Sequence, residues 1–370
     1  MARGLFVEPF YGGSHKAFLD GLIRHSAHDI EVLSLPEGEW RRRMRRGAQE
    51  LATRARDMNG EFDFIVVSDM LDLSVFLALT RPRFAATPVM AYFHENQFTY
   101  PRIRGTKFNS WFGQVNYLTA LVADRVAFNS EFHRNDFIGA LRTLDAQPNN
   151  WLASENIAEV EGKAGVLPVG VELEWLDELG PREAHEAPVL LWNHRWEFDK
   201  APEMFERGLV RLAGESVPFE VIIAGEPGDN PSDAMRRLRD VLGPRVRHFG
   251  YAESREAYGR LLWQSDIVVS TTRHEFFGVG MVEAMYAGCI PCAPNRYNYP
   301  ALVPAQLHGQ CLFDDEREFV EKLRALIAGP WPERGAVRAA AARYAWPAVI
   351  GLWDRAFEEL ARGSVGSQSE

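Results

Sequence analysis

The chain has 370 residues and a formal net charge of −10; with 46% apolar and 25% charged residues, it has the composition of a globular protein large enough for two domains. No apolar run reaches the roughly 18 residues that a membrane span needs, and the acidic balance excludes a nonspecific nucleic-acid binder. Three cysteines, an odd number, and an N-terminus without a signal-peptide layout predict a reducing, cytoplasmic environment.

The first half of the chain alternates short apolar runs with amphipathic stretches, which predicts a parallel α/β sheet. Five runs are predicted strands: Leu5–Pro9, Ile30–Leu35, Phe62–Ser68, Pro88–His94 and Arg125–Asn129. Helices are predicted at Lys16–His25, Arg41–Met58, Leu71–Thr80, Gln114–Asp124 and Phe132–Leu144. Because right-handed crossovers bring the carboxyl ends of the strands to one edge, we expect the ligand-binding loops there.

The loop after the first predicted strand contains Gly12, Gly13, His15 and Lys16. Paired glycines before a helix let the backbone approach a ligand and offer it N–H donors. The loop lacks the Gly-x-Gly-x-x-Gly spacing of dinucleotide-binding dehydrogenases, which argues against a nicotinamide enzyme. A simple tight turn between strand and helix is the alternative interpretation.

A dense run of polar side chains, from Tyr92 to Tyr100, follows the fourth predicted strand. The run includes His94, Glu95, Asn96 and Gln97, which is more hydrogen-bonding capacity than a plain connection requires. It predicts a polar ligand pocket. A buried structural histidine is the alternative.

Basic residues gather on one side of the first half, although the protein is acidic. Residues 38–107 hold 12 Lys and Arg against 8 Asp and Glu. Arginines beside Trp and Tyr suit phosphate contacts and base stacking. An RNA-binding patch is therefore one hypothesis, and an ordinary solvated helix face is the other; the arginines concerned are Arg42, Arg45, Arg102 and Arg104.

The alternation of strands and helices fades between Gln147 and Gly180 and then restarts. Gly165–Glu172 is interpreted as the last strand of a first domain and the exit to the second, and Pro181–Pro188 as a polar linker. Further strands are predicted at Val189–Asn193, Phe219–Ala224, Arg245–Gly250, Asp266–Ser270 and Ile290–Ala293. The last predicted helix is Pro347–Arg362.

Two cations and a glycine mark the ligand edge of the second half. Arg195 and Lys200 lie five positions apart across a turn before a helix, where they can clamp a diphosphate and stabilise charge on its departure. A surface salt-bridging pair is the alternative. Gly225 ends the next predicted strand at the same edge.

The most informative stretch runs from Glu275 to Met285. Gly278 and Gly280 allow close backbone approach, and the N–H groups of the helix that begins there suit an anion. Glu283 can accept hydrogen bonds from a pair of neighbouring hydroxyls, as on a ribose, and Glu275 can hold a second hydroxylated group. The alternative is a solvated glutamate before a glycine-tolerant helix.

The pairs Glu275-x7-Glu283 and Arg195-x4-Lys200 resemble the signatures of retaining nucleotide-sugar glycosyltransferases of the GT-B, family 4 type. Three further runs resemble a narrower group, the glycosyltransferase-like family that includes the tRNA-queuosine mannosyltransferase. They are Tyr11 to Lys16, Phe93 to Gln97 and Phe128 to Ser130.

The resemblance implies an α/β GT-B fold with two Rossmann-like domains facing across a cleft. The acceptor-binding domain would span residues 1–172 and the nucleotide-sugar-binding domain residues 173–345. A terminal helix over 346–362 would cross back to the first domain, and 363–370 would be a disordered tail. The implied reaction is transfer of mannose from GDP-mannose to queuosine at the wobble position of tRNA(Asp), with retained configuration. No metal and no cofactor besides the donor are expected.

The same resemblance implies roles for individual residues. The catalytic group would be His94, Arg195, Lys200 and Glu275. Donor binding would fall to Gly12, Gly13, Gly225, Phe277, Gly278, Val279, Gly280 and Glu283. Acceptor binding would fall to His15, Lys16, Glu95, Asn96, Gln97, Arg42, Arg45, Arg102 and Arg104.

Two other functions remain open from the sequence. One is a GT-B glycosyltransferase that uses another nucleotide sugar and a lipid or glycan acceptor, which predicts a basic-aromatic membrane surface on the first domain. The other is a catalytically silent nucleotide-sugar-binding or RNA-binding protein. The presence of Arg195, Lys200 and Glu275 together favours an enzyme.

Overall fold

The computed structural model describes residues 1–101, 110–148, 150–180, 185–226 and 232–366. The chain folds as two compact units. One comprises Met1–Gly170 together with the C-terminal segment that begins at Trp346, and the other comprises Val171–Ala345. The change of unit after Gly170 lies two residues before the predicted boundary.

The first unit is built around a parallel six-stranded sheet. Its elements are β1 (Arg3–Tyr11), α1 (Gly13–His25), β2 (Asp29–Pro36), α2 (Trp40–Arg56), β3 (Phe64–Ser68), α3 (Leu73–Phe84), β4 (Val89–Phe93), α4 (Ser110–Val122), β5 (Arg125–Phe128), α5 (Glu131–Asp145), α6 (Ser154–Gly162) and β6 (Ala164–Val166). The strand order is β2-β1-β3-β4-β5-β6.

The central strands of this sheet are buried on both faces, which explains their nearly continuous apolar sequences. β3 and β4 pair in parallel from Ile65↔Val89 to Ser68↔Tyr92, so both strands end at the same edge. Within the predicted strand-and-exit segment Gly165–Glu172, the strand β6 ends at Val166. The next residue, Leu167, donates the last ladder hydrogen bond to Phe128, and Pro168 has no N–H with which to continue.

The second unit contains another parallel six-stranded sheet, in the order β12-β11-β10-β7-β8-β9. Its elements are β7 (Val189–Trp192), α7 (Pro202–Gly214), β8 (Glu220–Ala224), α8 (Ala234–Leu242), β9 (Val246–Gly250), α9 (Arg255–Gln264), β10 (Ile267–Val269), α10 (Val279–Tyr286), β11 (Ile290–Pro294), α11 (Tyr299–Leu302), α12 (His308–Cys311), β12 (Leu312–Phe313), α13 (Glu316–Ala328) and α14 (Arg334–Ala342).

The last helix, α15 (Trp346–Gly366), belongs to the first unit. Its apolar stripe is buried there: Trp353 packs edge-on against Tyr92 at 4.7 Å between ring centroids, and Phe357 stacks on Phe64 at 4.8 Å. The helix runs four residues past its predicted end, to Gly366. One glycine costs a helix only about 1 kcal/mol, which is too little to end it at Gly363.

Within the described ranges, no helix combines the length and apolar character needed to cross a bilayer. Of the predicted linker, residues 181–184 lie outside the described part of the chain, as do residues 367–370 of the predicted tail.

Candidate functional site

Polar side chains stand on or directly after four neighbouring strands of the first sheet. Glu8 lies on β1, Asp69 follows β3, His94 follows β4 and Asn129 follows β5. Glu8 and Asp69 are each only 1% exposed. The parallel topology collects these groups at one edge of the sheet, where loops hold ligands in open α/β folds.

Glu8 and His15 form a buried ion pair. The Glu8 carboxylate accepts the Phe10 N–H at 2.8 Å and the Ser68 hydroxyl at 3.0 Å, and its second oxygen lies 3.2 Å from His15 Nδ1. Burial lowers the pKa of His15, but the charges of Glu8, Asp69 and Glu95 together outweigh it and raise the pKa to about 9. His15 is therefore an imidazolium at neutral pH.

His94 is the neutral partner of His15. The two rings lie 4.2 Å apart between centroids, and Tyr92 and Phe18 meet His94 edge-on at 4.7 and 4.9 Å. Burial, and then the charges of His15 and His133, hold the pKa of His94 well below its usual range. Its Nε2 is buried and has no hydrogen-bond partner among the described residues, so it can bind a ligand group.

The loop after His94 is held in shape by Asn96. This side chain is fully buried, and its Oδ1 accepts hydrogen bonds from the Phe98 and Thr99 N–H groups and from the Thr99 hydroxyl. Asn96 therefore shapes the loop, and its predicted contact with the acceptor stays a prediction. Glu95 and Gln97 are half-buried, and the Gln97 amide donates to Glu95 at 2.9 Å.

In the loop that contains Gly12 and Gly13, one glycine is required by packing and the other faces open space. A Cβ on Gly12 would lie 2.3 Å from the Glu37 Cβ, so no side chain fits, whereas Gly13 has a φ of +50° and open space around it. α1 begins at Gly13 without a side-chain cap. Lys16 is exposed, forms an ion pair with Asp20, and lies 5.0 Å from the centre of the Tyr11 ring.

Helix α2 presents arginines and an aromatic platform. Arg41 lies 4.6 Å from the Trp40 ring centre, Arg45 lies 5.4 Å from that of Phe112, and the Trp40 and Phe112 rings are 5.0 Å apart. Arg41, Arg42, Arg45 and Arg46 are exposed. The predicted contacts Arg102 and Arg104 lie outside the described residues.

In the second unit, Lys200 lies between two carboxylates. Its Nζ is 3.3 Å from Asp199 Oδ2 and 3.4 Å from Glu275 Oε2. Burial lowers the pKa of Lys200, but Glu275 and Asp199 outweigh that effect and raise it, so the ammonium stays charged. The sequence thus correctly brought Lys200 and Glu275 to one place, but it did not identify Asp199.

Hydrogen bonds between two loops fix this arrangement. The Thr271 hydroxyl donates to the carbonyls of Lys200 and Ala201 at 3.0 and 3.1 Å, and Thr272 donates to that of Asp199 at 2.9 Å. Ala201 adopts a left-handed conformation with φ of +48° just before α7. Arg195, by contrast, has a side chain 57% exposed and lies 3.5 Å from Glu197.

The start of α10 offers backbone donors. Gly278 precedes the helix at φ of +98°, which favours glycine, and a Cβ on Gly280 would lie 3.0 Å from Asn193 Nδ2. The amides of Val279 and Gly280 have no helix carbonyl behind them. The Phe277 ring is buried against Tyr344 at 5.3 Å, so this residue can offer a donor substrate only its backbone.

Glu283 on α10 belongs to a three-residue network. Tyr258 donates to its Oε2 at 3.0 Å, and the Asn193 amide donates to the Tyr258 oxygen and to the Gly280 carbonyl, each at 2.9 Å. Burial raises the pKa of Glu283 to about 7, while the Tyr258 hydrogen bond opposes the rise. Sequence reasoning missed Asn193 and Tyr258, although Asn193 directly follows β7, where ligand residues gather.

Gly225 is required by a close backbone approach. A Cβ there would lie 2.0 Å from the His194 carbonyl oxygen and 3.2 Å from the Trp196 indole nitrogen. The glycine therefore has a packing reason in addition to its predicted donor contact.

Glu8, His15 and His94 are a cluster within the described ranges whose possible metal-ligand atoms lie within 4.8 Å of one another. The proton that His15 carries toward Glu8 competes with a metal for that nitrogen. The sequence-based expectation of a metal-independent enzyme stays a prediction.

Two family models match the chain in succession. One, for the N-terminal region of tRNA-queuosine alpha-mannosyltransferase, covers residues 3–171, and one for group 1 glycosyl transferases covers residues 187–329. The tRNA-queuosine alpha-mannosyltransferase of Drosophila melanogaster is 37% identical over 317 residues, covering 82% of each protein. The chain belongs to the tRNA-queuosine alpha-mannosyltransferase family.

Two more distant proteins are similar to the chain in sequence or in fold. A GDP-mannose:cellobiosyl-diphosphopolyprenol alpha-mannosyltransferase from Xanthomonas campestris is 27% identical, over 75% of this chain and 69% of that protein. Sucrose-phosphate synthase from Thermosynechococcus elongatus superposes with a TM-score of 0.74 at 13% identity, covering 98% of this chain and 100% of that one. The predicted GT-B fold is confirmed. The protein is a glycosyltransferase.

Proposed function

We propose that the protein transfers mannose from GDP-mannose to queuosine at the wobble position of tRNA(Asp), in the cytoplasm and with retention of the α configuration. The observation that carries the proposal is the 37% identity to the Drosophila enzyme, whose match covers 82% of this chain. The name of the Xanthomonas relatives, which includes GDP-mannose, supports the choice of donor.

In this proposal the second unit binds the donor. Lys200 and Arg195 contact the diphosphate, with the amides of Val279 and Gly280 as further donors to phosphate oxygens. Glu283 accepts the ribose hydroxyls, and Glu275 accepts a mannose hydroxyl. The carboxylates of Asp199 and Glu275 keep Lys200 charged and positioned before substrate arrives, so little reorganisation is needed in the transition state.

The reaction then proceeds on one face of the sugar. The bond from the anomeric carbon to the phosphate oxygen breaks, a bond to the acceptor oxygen forms, and the acceptor proton passes to the leaving phosphate. Lys200 and Arg195 stabilise the charge that develops on GDP. The expected role of His94 near the sugar stays a prediction. The proposal requires neither an enzymatic nucleophile nor a metal.

Helix α2 supports an RNA acceptor. Arg41 with Arg45 and Arg42 with Arg46 are like-charged pairs at i,i+4, and they stand at the positive end of the helix dipole without an acidic residue in the first turn. Both effects destabilise a helix by a few tenths of a kcal/mol each. Phosphate groups bound beside these arginines would offset both the charge repulsion and the unfavourable dipole interaction. We therefore assign the arginine face of α2 to binding of the tRNA phosphate backbone.

The alternative acceptor is a polyprenol-linked glycan, the acceptor named for the Xanthomonas relatives. The arginine-dense face of α2 favours RNA over a lipid surface, because an interfacial helix would bury apolar side chains there.

The test is incubation with GDP-mannose and queuosine-containing tRNA, followed by mass spectrometry of the nucleosides. We expect a queuosine species heavier by one hexose. Lys200→Ala should lower turnover by about 100-fold or more, whereas Lys322→Ala, on α13, should turn over like the parent protein. Product from a diphosphopolyprenol glycan and none from tRNA would contradict the proposal.

A further inference from the structure

The Asn193 side chain ties the end of β7 to the first turn of α10. Its Nδ2 donates to the Gly280 carbonyl and to the Tyr258 oxygen, each at 2.9 Å. Because a backbone carbonyl only accepts, the amide nitrogen must face Gly280, and both of its N–H donors are then used. A Cβ on Gly280 would lie 3.0 Å from this nitrogen, so the glycine lets the amide pack directly against the helix. One side chain thus contacts both α10 and Tyr258 on α9.

Tyr258 passes this constraint on to Glu283. Its oxygen accepts from Asn193, so its hydrogen points away from the amide, and the hydroxyl donates to Glu283 Oε2 at 3.0 Å. A hydroxyl that accepts one hydrogen bond is the stronger donor in the next. Burial and the charge of Glu283 raise the pKa of Tyr258 well above its usual value, so the hydrogen stays on the oxygen. Asn193 therefore orients the hydroxyl that holds Glu283.

The orientation of the Glu283 carboxylate depends on this one bond. Within the described part of the chain, no hydrogen bond other than that from Tyr258 reaches its side-chain oxygens. A glutamate has several rotamers, and ordering it on binding costs free energy that the ligand contacts must otherwise supply. The Tyr258 bond supplies that order before a nucleotide arrives.

The second polar atom of the Asn193 amide argues against a purely structural role. Oδ1 is buried and has no hydrogen-bond partner among the described residues, and an unpaired buried acceptor is unfavourable for folding. The contribution of this side chain is its pair of donors. An aspartate has the same shape, but it would set an oxygen against the Gly280 carbonyl and would lack the N–H that Tyr258 accepts.

We propose that Asn193 is a positioning residue for the donor ribose, an assignment that rests on the proposed function. Through Tyr258 it holds the Glu283 carboxylate ready to accept the ribose hydroxyls. Its bond to Gly280 ties that carboxylate to the turn whose amides contact the diphosphate. Because ribose and diphosphate belong to one ligand, fixing both binding groups together selects a nucleotide with intact ribose hydroxyls.

The test compares GDP with 2′,3′-dideoxy-GDP, which keeps the base and the diphosphate but lacks both ribose hydroxyls. Calorimetric titration of the full-length protein at pH 8 should show about 10-fold or tighter binding of GDP, as expected for hydrogen bonds to a charged carboxylate. Asn193→Ala should reduce that preference to about threefold or less. A preference that stays at the parent value overturns the proposal, and so does a parent protein that binds both nucleotides equally.

A double-mutant cycle shows whether Asn193 acts through Tyr258. Tyr258→Phe alone should reduce the preference for GDP to a similar extent, because only the hydroxyl is removed. Adding Asn193→Ala to Tyr258→Phe should then change the preference by less than about twofold. Losses that multiply in the double variant would mean that the two residues act independently, which would overturn the proposed route through Tyr258.

Matched measurements separate positioning from folding defects. Asn135→Ala, at an exposed position on α5, should keep the full preference for GDP. Affinity for 2′,3′-dideoxy-GDP, which offers Glu283 no ribose hydroxyl, reports that each variant retains a folded donor site. Should Asn193→Ala fail this criterion, Asn193→Ser, which also removes the amide, carries the test.

The proposed function can fail independently of this inference. A preference for GDP that depends on Asn193, without mannosylation of queuosine, would refute the proposed function and keep the positioning role. Mannosylation of queuosine with an unchanged preference in Asn193→Ala would keep the function and refute the positioning role.

Discussion

At the scale of single residues, the ionisation states are set by neighbours both adjacent and distant in sequence. Lys200 remains an ammonium because Asp199 and Glu275 flank it, and Glu283 titrates near neutrality because it is buried beside Tyr258. The spacing of glutamates and cations predicted Lys200, Glu275 and Glu283. The sequence could not show that a tyrosine 25 residues before Glu283 tunes it.

Glu283 should make donor binding depend on pH. In the proposed donor site the ribose hydroxyls bind the ionised carboxylate, so GDP-mannose affinity should rise about tenfold between pH 6 and 8, with a midpoint close to the pKa of about 7. GDP-mannose itself has no ionisation of its diphosphate in this range. Calorimetric titrations at several pH values measure the midpoint.

Two variants check that Glu283 is responsible. Glu283→Gln should flatten the pH profile. Tyr258→Phe should move the midpoint upward, because the lost hydrogen bond lowers the pKa of Glu283 in the parent protein. A midpoint that stays in place in both variants would assign the titration to another group.

At the scale of elements, apolar runs located ten of the twelve described strands within two residues at each end, all but β6 and β12. The strands buried on both faces, such as β3 and β4, leave a continuous hydrophobic signal. The sequence failed where tertiary partners decide the outcome. The sequence did not single out Asp69, which accepts the His94 N–H, and it did not show that Asn96 Oδ1 accepts the Phe98 N–H.

Helix α2 gives a prediction that separates binding from stability. Arg42→Ala and Arg45→Ala should each weaken tRNA binding by about three- to tenfold and reduce the slope of affinity against salt by about 1. Each variant should be at least as stable as the parent, because a repulsive i,i+4 pair is removed. Anisotropy at several salt concentrations, with thermal unfolding, measures both; an unchanged salt slope would exclude phosphate contact.

Helix α15 gives a stability prediction. Trp353 is fully buried, contacts Tyr92 and donates to the Pro168 carbonyl at 3.0 Å. Trp353→Ala should lower the free energy of unfolding by about 3–5 kcal/mol. Its neighbour Leu352 is 40% exposed, so Leu352→Ala should cost under about 1 kcal/mol. Urea unfolding compares the two, and equal losses would mean that the helix is not docked.

At the scale of the whole molecule, the two units differ in whether they are formed by one continuous segment of the chain. The second unit is continuous from Val171 to Ala345, whereas the first needs both Met1–Gly170 and the segment from Trp346. The two sheets were predictable from alternating strands and helices. The assignment of α15 to the first unit was predicted only from the family resemblance. The sequence of the helix shows an apolar stripe, but it does not show which surface that stripe covers.

The units should therefore behave differently in isolation. Residues 171–345 contain their whole sheet together with Lys200, Glu275 and Glu283, so this fragment should fold and bind GDP-mannose. Residues 1–170 alone would expose Phe18, Phe64 and Tyr92, which α15 covers in the intact chain, and should aggregate. Solubility measurements on both fragments, and calorimetric titration of the 171–345 fragment with GDP-mannose, test this prediction. A folded, monomeric 1–170 fragment would contradict it.

The discontinuity of the first unit also has a consequence for synthesis. A ribosome delivers the first sheet early, but the helix that covers Tyr92 and Phe64 is translated only after the entire second unit. The nascent first unit must wait, with an apolar surface uncovered, while the second unit is still being made. Helix α15 thus acts as a completeness signal, since a chain terminated before Trp346 keeps that surface open to chaperones and proteases.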